Sequence, residues 1–64
     1  MKFSVKELRA RHNWTQKQAA EKVGTTYQTW NGWEQNFGNV KLKNAVKVAE
    51  AFGVTLDEIK IFNE

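Results

Sequence analysis

Thr26, Tyr27, Gln28 and Asn31 place hydroxyl, phenol and carboxamide groups within one short stretch, none of them charged. A carboxamide carries a donor and an acceptor side by side, and can pair with both groups on the edge of an adenine. Gln28 is the lead candidate for that chemistry. Tyr27 can lay its ring on a thymine methyl or offer its hydroxyl to a phosphate. Each has a plainer reading beside it. Gln28 can cap back towards Thr25, and Tyr27 can be a solvated aromatic at a helix start. No lysine or arginine occurs between Lys22 and Lys41. A nucleic-acid partner would therefore draw most of its sequence-independent affinity from other parts of the chain.

Those four residues need a rigid element to present them, and the preceding sequence supplies one. Gln16 to Val23 reads as a helix capped by Thr15, with Gln18 three residues on completing a capping box. Ala20 stands four residues before Gly24, small enough for a second helix to approach closely, and Gly24 supplies the backbone angle of a tight turn. A second helix follows from about Tyr27 to Gln35, with Trp30 and Trp33 facing inward and Thr29 on the outward side. Thr25 fits a capping box with Gln28, but Thr26 suits the turn better. The pattern predicts a helix-turn-helix.

The remaining elements are equally short. Ser4 and Glu7 predict a capped helix from Val5 to about Arg11, buried through Val5 and Leu8 and ended at His12-Asn13, with Asn13 left-handed. Asn36 to Asn39 reads as a loop. Leu42, Ala45, Val46, Ala49 and Phe52 set the stripe of a helix from about Leu42 to Phe52, ended by Gly53. A last helix is expected after Thr55, boxed by Glu58, with Leu56 and Ile59 inward. Ile61 and Phe62 are more apolar than a free tail needs. They can close the core beneath the first helix, near Phe3, or form a self-complementary patch between two copies.

Sixty-four residues make one small all-α domain spanning 1–64, and 41% apolar content is enough to give it a core. There is no cysteine, so no disulfide framework or thiolate metal site exists, and an intracellular, cytoplasmic home is favoured. No apolar run approaches the roughly 20 residues of a membrane span, and Met1 to Ser4 carries no hydrophobic signal core. Met1 fits an intact small protein, with truncation of a longer regulator as the alternative. A net charge of +3 is compatible with an acidic partner without requiring one.

In order and spacing, these pieces resemble the Cro/cI-type helix-turn-helix family, also called the XRE family, of bacterial and phage transcriptional regulators. The matching runs are Val5-Lys6-Glu7-Leu8-Arg9, Trp14-Thr15-Gln16, Ala20-Glu21-Lys22-Val23-Gly24, Trp33-Glu34, and Ala49 through Ile59. Lys22 to Thr26, followed by Gln28, is similar to the lambdoid phage repressor type. The resemblance implies a compact five-helix, lambda-repressor-like DNA-binding domain. Four departures stand out. Ala19 occupies the place of a larger aliphatic and Trp30 that of a smaller one, an exchange of volume. Asn36 replaces a frequent glycine and Val40 a frequent proline. Gly32 also lies within the second helix of the motif, where glycine costs roughly 1 kcal/mol against alanine. Close approach to DNA and neutral replacement explain it equally.

By this resemblance, the helix from Tyr27 enters the major groove of double-stranded DNA, N-terminal half first. Thr26, Tyr27, Gln28 and Asn31 are then the candidate base contacts. Thr15, Gln16 and Lys17 meet phosphates on one side of the groove, and Asn36, Lys41 and Lys43 on the other. Simple solvation is the plain alternative for each lysine. Arg9 and Glu34 pair structurally, and Trp14, Trp30 and Trp33 belong to the core. The function implied is transcriptional regulation, as a repressor acting through a homodimer on a two-fold operator. A protein-interaction module of the same fold, without DNA binding, is the alternative. No catalytic, cofactor, metal or small-molecule site is expected. His12 is the lone histidine, Asp57 and Glu58 suit a helix start, and no phosphate loop or metal-spaced cluster occurs.

Overall fold

Reciprocal caps start two of the helices. The Ser4 hydroxyl accepts from the Glu7 N–H and the Glu7 carboxylate accepts from the Ser4 N–H, at 3.1 and 2.9 Å. Thr15 and Gln18 do the same at 3.1 and 2.8 Å. Each box satisfies donors that a helix start otherwise leaves open. In the computed structural model, which describes residues 2–61, these caps open α1 (Val5–Arg11) and α2 (Gln16–Val23). Two more helices follow, α3 (Tyr27–Gln35) and α4 (Leu42–Phe52). Single 3₁₀ turns lie at Phe37–Asn39 and Leu56–Glu58.

Left-handed residues turn the chain after α1, α2 and α4, whereas α3 ends at extended Asn36. Gly24 ends α2 at φ 83°, with its own N–H and that of Thr25 both returning to the Ala20 carbonyl at 2.9 Å. Gly53 ends α4 in the same way at φ 68°. Asn13, at φ 57°, is the non-glycine residue that turns the chain after α1. Its place there agrees with the tolerance of asparagine for this region.

α2 and α3 pack on each other and on α4 around Trp30, which is wholly buried. Ala19 and Ala20 are buried in the same cluster, so small residues on α2 leave room for the indole. The Trp30 ring lies 5.9 Å from Trp33, edge to face, and 5.8 Å from Phe52. Phe52 also receives Trp14 and His12, each at 5.3 Å between centroids.

Two expectations change. The fifth helix is the one 3₁₀ turn at Leu56–Glu58. The Thr55 N–H and hydroxyl both donate to the Glu58 carboxylate, but the chain extends again at Ile59. It does so because Phe3 pairs there: its N–H donates to the Glu58 carbonyl and its carbonyl accepts from Lys60, both at 2.7 Å, in a parallel bridge. Ile59 is buried as expected, whereas Leu56 is exposed. Along α4 the buried stripe is Ala45, Val48, Ala49 and Phe52. Leu42, 71% exposed in the first turn, and Val46, 38% exposed, lie off it. Ile61 is half-buried against the core, while Phe62 lies outside the described residues.

Replacing Trp30 by alanine leaves a void at the meeting point of three helices. We expect a loss of about 3–5 kcal/mol, a large share of a small domain's stability. Circular dichroism should show Trp30→Ala largely unfolded at 37 °C.

Candidate nucleic-acid interface

The turn after α2 hands the chain to Thr26, whose extended backbone (φ −87°, ψ 158°) makes it the N-cap of α3. Its hydroxyl accepts from the Thr29 N–H at 3.1 Å and donates to the Thr29 hydroxyl at 2.9 Å. The capping position is thus Thr26 and not Thr25. Thr26 is committed to the cap, and the hydroxyl proton of Thr29 is the one left to point outward. Tyr27 is 51% exposed. Gln28 is exposed, and its side chain makes no hydrogen bond among the described residues. The capping alternative for Gln28 is therefore not the one adopted.

Asn31 is different. It is half-buried, and its Oδ1 accepts from Gln16 Nε2 across the two helices at 3.1 Å. Gln16 Nε2 also donates to Glu34 Oε1 at 3.0 Å. Both amide hydrogens of Gln16 are thereby used inside the protein. Its remaining side-chain group is an acceptor, which cannot bond a phosphate oxygen. A phosphate at this end of α2 is left with the backbone N–H groups of the first turn, the Thr15 hydroxyl proton and exposed Lys17. At the other end, Asn36 accepts from the Gly38 N–H through Oδ1 at 2.9 Å, which leaves its amide nitrogen free to donate. Lys41 and Lys43 are exposed. Among the described residues no group of three or more histidines, cysteines or acids is placed to hold a metal, and no helix is long and apolar enough to cross a membrane.

Behind this face lies a buried carboxylate. Glu34, with its side chain 6% exposed, accepts from Arg9 Nε and Nη2, from Gln16 Nε2 and from Trp30 Nε1. Arg9 Nη1 donates on to the Trp14 carbonyl at 3.1 Å. The Arg9–Glu34 pair is the expected one. The contributions of Gln16 and Trp30 were not foreseen, although Trp30 and Glu34 stand four apart on one helix face. Burial is the largest single influence on Glu34 and pushes its carboxyl up. The hydrogen bonds from Arg9, Gln16 and Trp30, with the Arg9 charge, outweigh it and hold the group below its ordinary value. Elsewhere on α2, Lys22 Nζ lies 5.5 Å over the Trp14 ring, a contact with no signal in the local sequence.

An all-helical chain with a glycine turn between α2 and α3, and a polar, uncharged face on α3, defines a helix-turn-helix protein. The helix-turn-helix family profile matches residues 5–59. Similar proteins are an "Uncharacterized HTH-type transcriptional regulator" of Archaeoglobus fulgidus, 38% identical over all of this chain and 90% of the relative, and "MJ0272", with the same description, of Methanocaldococcus jannaschii, 39% identical over 100% and 97%. A third, "YgzD" of Bacillus subtilis, also described as an uncharacterized HTH-type transcriptional regulator, is 37% identical over 92% of this chain and 89% of its own. No solved structure gives a significant match. The chain belongs to the XRE-type helix-turn-helix family of transcriptional regulators.

Two outcomes follow from this geometry. Because Glu34 sits below its ordinary value of 4.5, its ionised form stabilises the fold fully above that pH, and the stabilisation is lost as pH falls through the folded value. Urea melts from pH 7 to pH 3 should show stability falling with acid, and Glu34→Gln should be less stable at neutral pH with a shallower slope. The second concerns Gly32. A Cβ built there meets nothing within 4 Å, so no internal contact requires glycine. Gly32→Ala should gain about 1 kcal/mol, raising the melting temperature by about 5 °C.

Proposed function

We propose that the protein is a sequence-specific double-stranded DNA-binding repressor that lays α3 in the major groove and acts as a homodimer on a two-fold symmetric operator. The observation that carries this reading is the free outward face of α3. Tyr27 and Gln28 are solvent-facing, uncharged and not spent on internal bonds, on a helix anchored from behind by Trp30. Such a face suits base edges, where a well-placed carboxamide discriminates by about 1–3 kcal/mol.

Affinity comes from the flanks. Lys17 with the first turn of α2, and Asn36, Lys41 and Lys43 around the start of α4, supply donors and positive charge without crowding the groove-facing helix. The pairing of two copies is supported by Leu42 and Val46, exposed apolar residues one turn apart on α4. A two-fold assembly reads half-sites about one helical turn apart. A bound dimer covering a promoter would block polymerase, and no enzymatic step is part of the proposed action.

Selection of bound duplexes from a random pool tests the whole reading. A two-fold symmetric motif is expected, with affinity that falls steeply as salt rises. Gln28→Ala should weaken binding by about 1–3 kcal/mol and relax one position of each half-site. Lys43→Ala should weaken all sequences alike and reduce the log–log salt slope of the bound dimer by about 1.8, one phosphate for each protomer. Failure to enrich any duplex, or binding insensitive to salt, would overturn the reading in favour of a protein partner.

A further inference from the structure

The polarity of the bonds behind α3 runs in one direction. Arg9 is a cation with donors only, and it sets the buried Glu34 as an acceptor. Glu34 can only accept, so the carboxamide of Gln16 must turn its nitrogen inward, where it donates to Glu34 Oε1 at 3.0 Å. The second hydrogen on that nitrogen goes to Asn31, which must answer with its oxygen, at 3.1 Å. Neither amide is free to flip without facing like against like. Asn31 Nδ2 is the group left without a partner among the described residues, on the half-exposed helix face that also carries Gln28 three residues before.

We propose that Asn31 reads DNA through its amide nitrogen alone, selecting guanine, which offers two acceptors in the major groove, and rejecting cytosine, which offers none, and that Gln16 is the positioning residue that fixes this polarity. The inference rests on the DNA-binding reading above. An asparagine with both groups free favours adenine, whose edge offers one donor and one acceptor. With its oxygen occupied, Asn31 cannot complete that pair. Guanine presents two acceptors, at O6 and N7, and thymine one, at O4. Cytosine presents its amino group, a donor facing a donor. Adenine keeps one acceptor at N7 but loses the advantage of a two-bond pair, so Asn31 favours guanine, tolerates thymine and adenine, and rejects cytosine. Gln16 touches no base. It acts by holding the Asn31 amide in one of its two orientations.

Two measurements test this. The first needs no DNA. In side-chain amide NMR spectra of the free protein, the Gln16 NH2 should exchange slowly with water and the Asn31 NH2 rapidly. The reverse order would overturn the assigned polarity whether or not the protein binds DNA. The second is selection from random duplexes with the unaltered protein, Asn31→Asp and Gln16→Met. The unaltered protein should prefer guanine to cytosine by about ten-fold at one position of each half-site, with adenine no better than thymine. Asn31→Asp still accepts from Gln16 but turns an acceptor outward, and should switch that position to the amino bases, adenine and cytosine. Gln16→Met frees the Asn31 oxygen and should make adenine the preferred base there, with the other positions unchanged. An unchanged motif in both variants, or a uniform loss of affinity in Gln16→Met with no change in preference, would overturn the proposal while leaving the regulator reading intact. If the unaltered protein enriches no motif, both fall together.

Discussion

One carboxylate ties the first three helices together. Glu34 lies near the end of α3, and its four donors come from α1 through Arg9, from α2 through Gln16 and from its own helix through Trp30. A buried charge is tolerable only when its partners are in place. The same bonds that make Glu34 acceptable also fix the angle at which α3 leaves the body. The apolar side of the arrangement is continuous with it, since Trp30 uses its indole nitrogen on Glu34 and its ring on Phe52 and Trp33. Orientation and packing are therefore not separable here, and the outward face of α3 inherits its rigidity from both.

The distribution of charge divides the work between elements. α3 carries no lysine or arginine, and its one acid is turned inward and neutralised by Arg9. The exposed lysines closest in sequence lie on α2 and at the start of α4. In the proposed complex a helix without its own cations is not pulled to any phosphate, and the scaffold and its flanks would set its position in the groove. This separation leaves hydrogen-bond geometry, and not attraction, to discriminate between sequences.

Much of this was legible in the sequence because it is local. Capping boxes act over three residues and glycine stops over one turn, so the starts of α1 and α2 and the ends of α2 and α4 could be read directly from Ser4, Thr15, Gly24 and Gly53. The exchange of volume between Ala19 and Trp30 was readable through the resemblance, and both residues lie in one buried cluster. What was missed depends on distant partners. Thr55 and Glu58 carry the signal of a helix start, but Phe3, more than fifty residues earlier, takes the backbone of the segment into a bridge after a single turn. Leu42 and Val46 have the spacing of a buried stripe, yet the neighbours needed to cover them are not there, and Val48 points inward instead. The place of Gln16 at a helix start gives no sign of its bonds to Asn31 and Glu34. Those bonds exist only after α2 and α3 are packed.

Gly32 has a meaning beyond its effect on the helix. It lies one turn after Gln28 on an exposed surface, with open space where a side chain would begin. Residues of the buried core are constrained by their neighbours, so a change there disturbs the fold. Gly32 is not. A side chain other than proline can begin there without a clash at its Cβ, and nearly all would suit the helix better than glycine. On the proposed reading, position 32 is a place on α3 where a side chain could be added without a compensating change in the core.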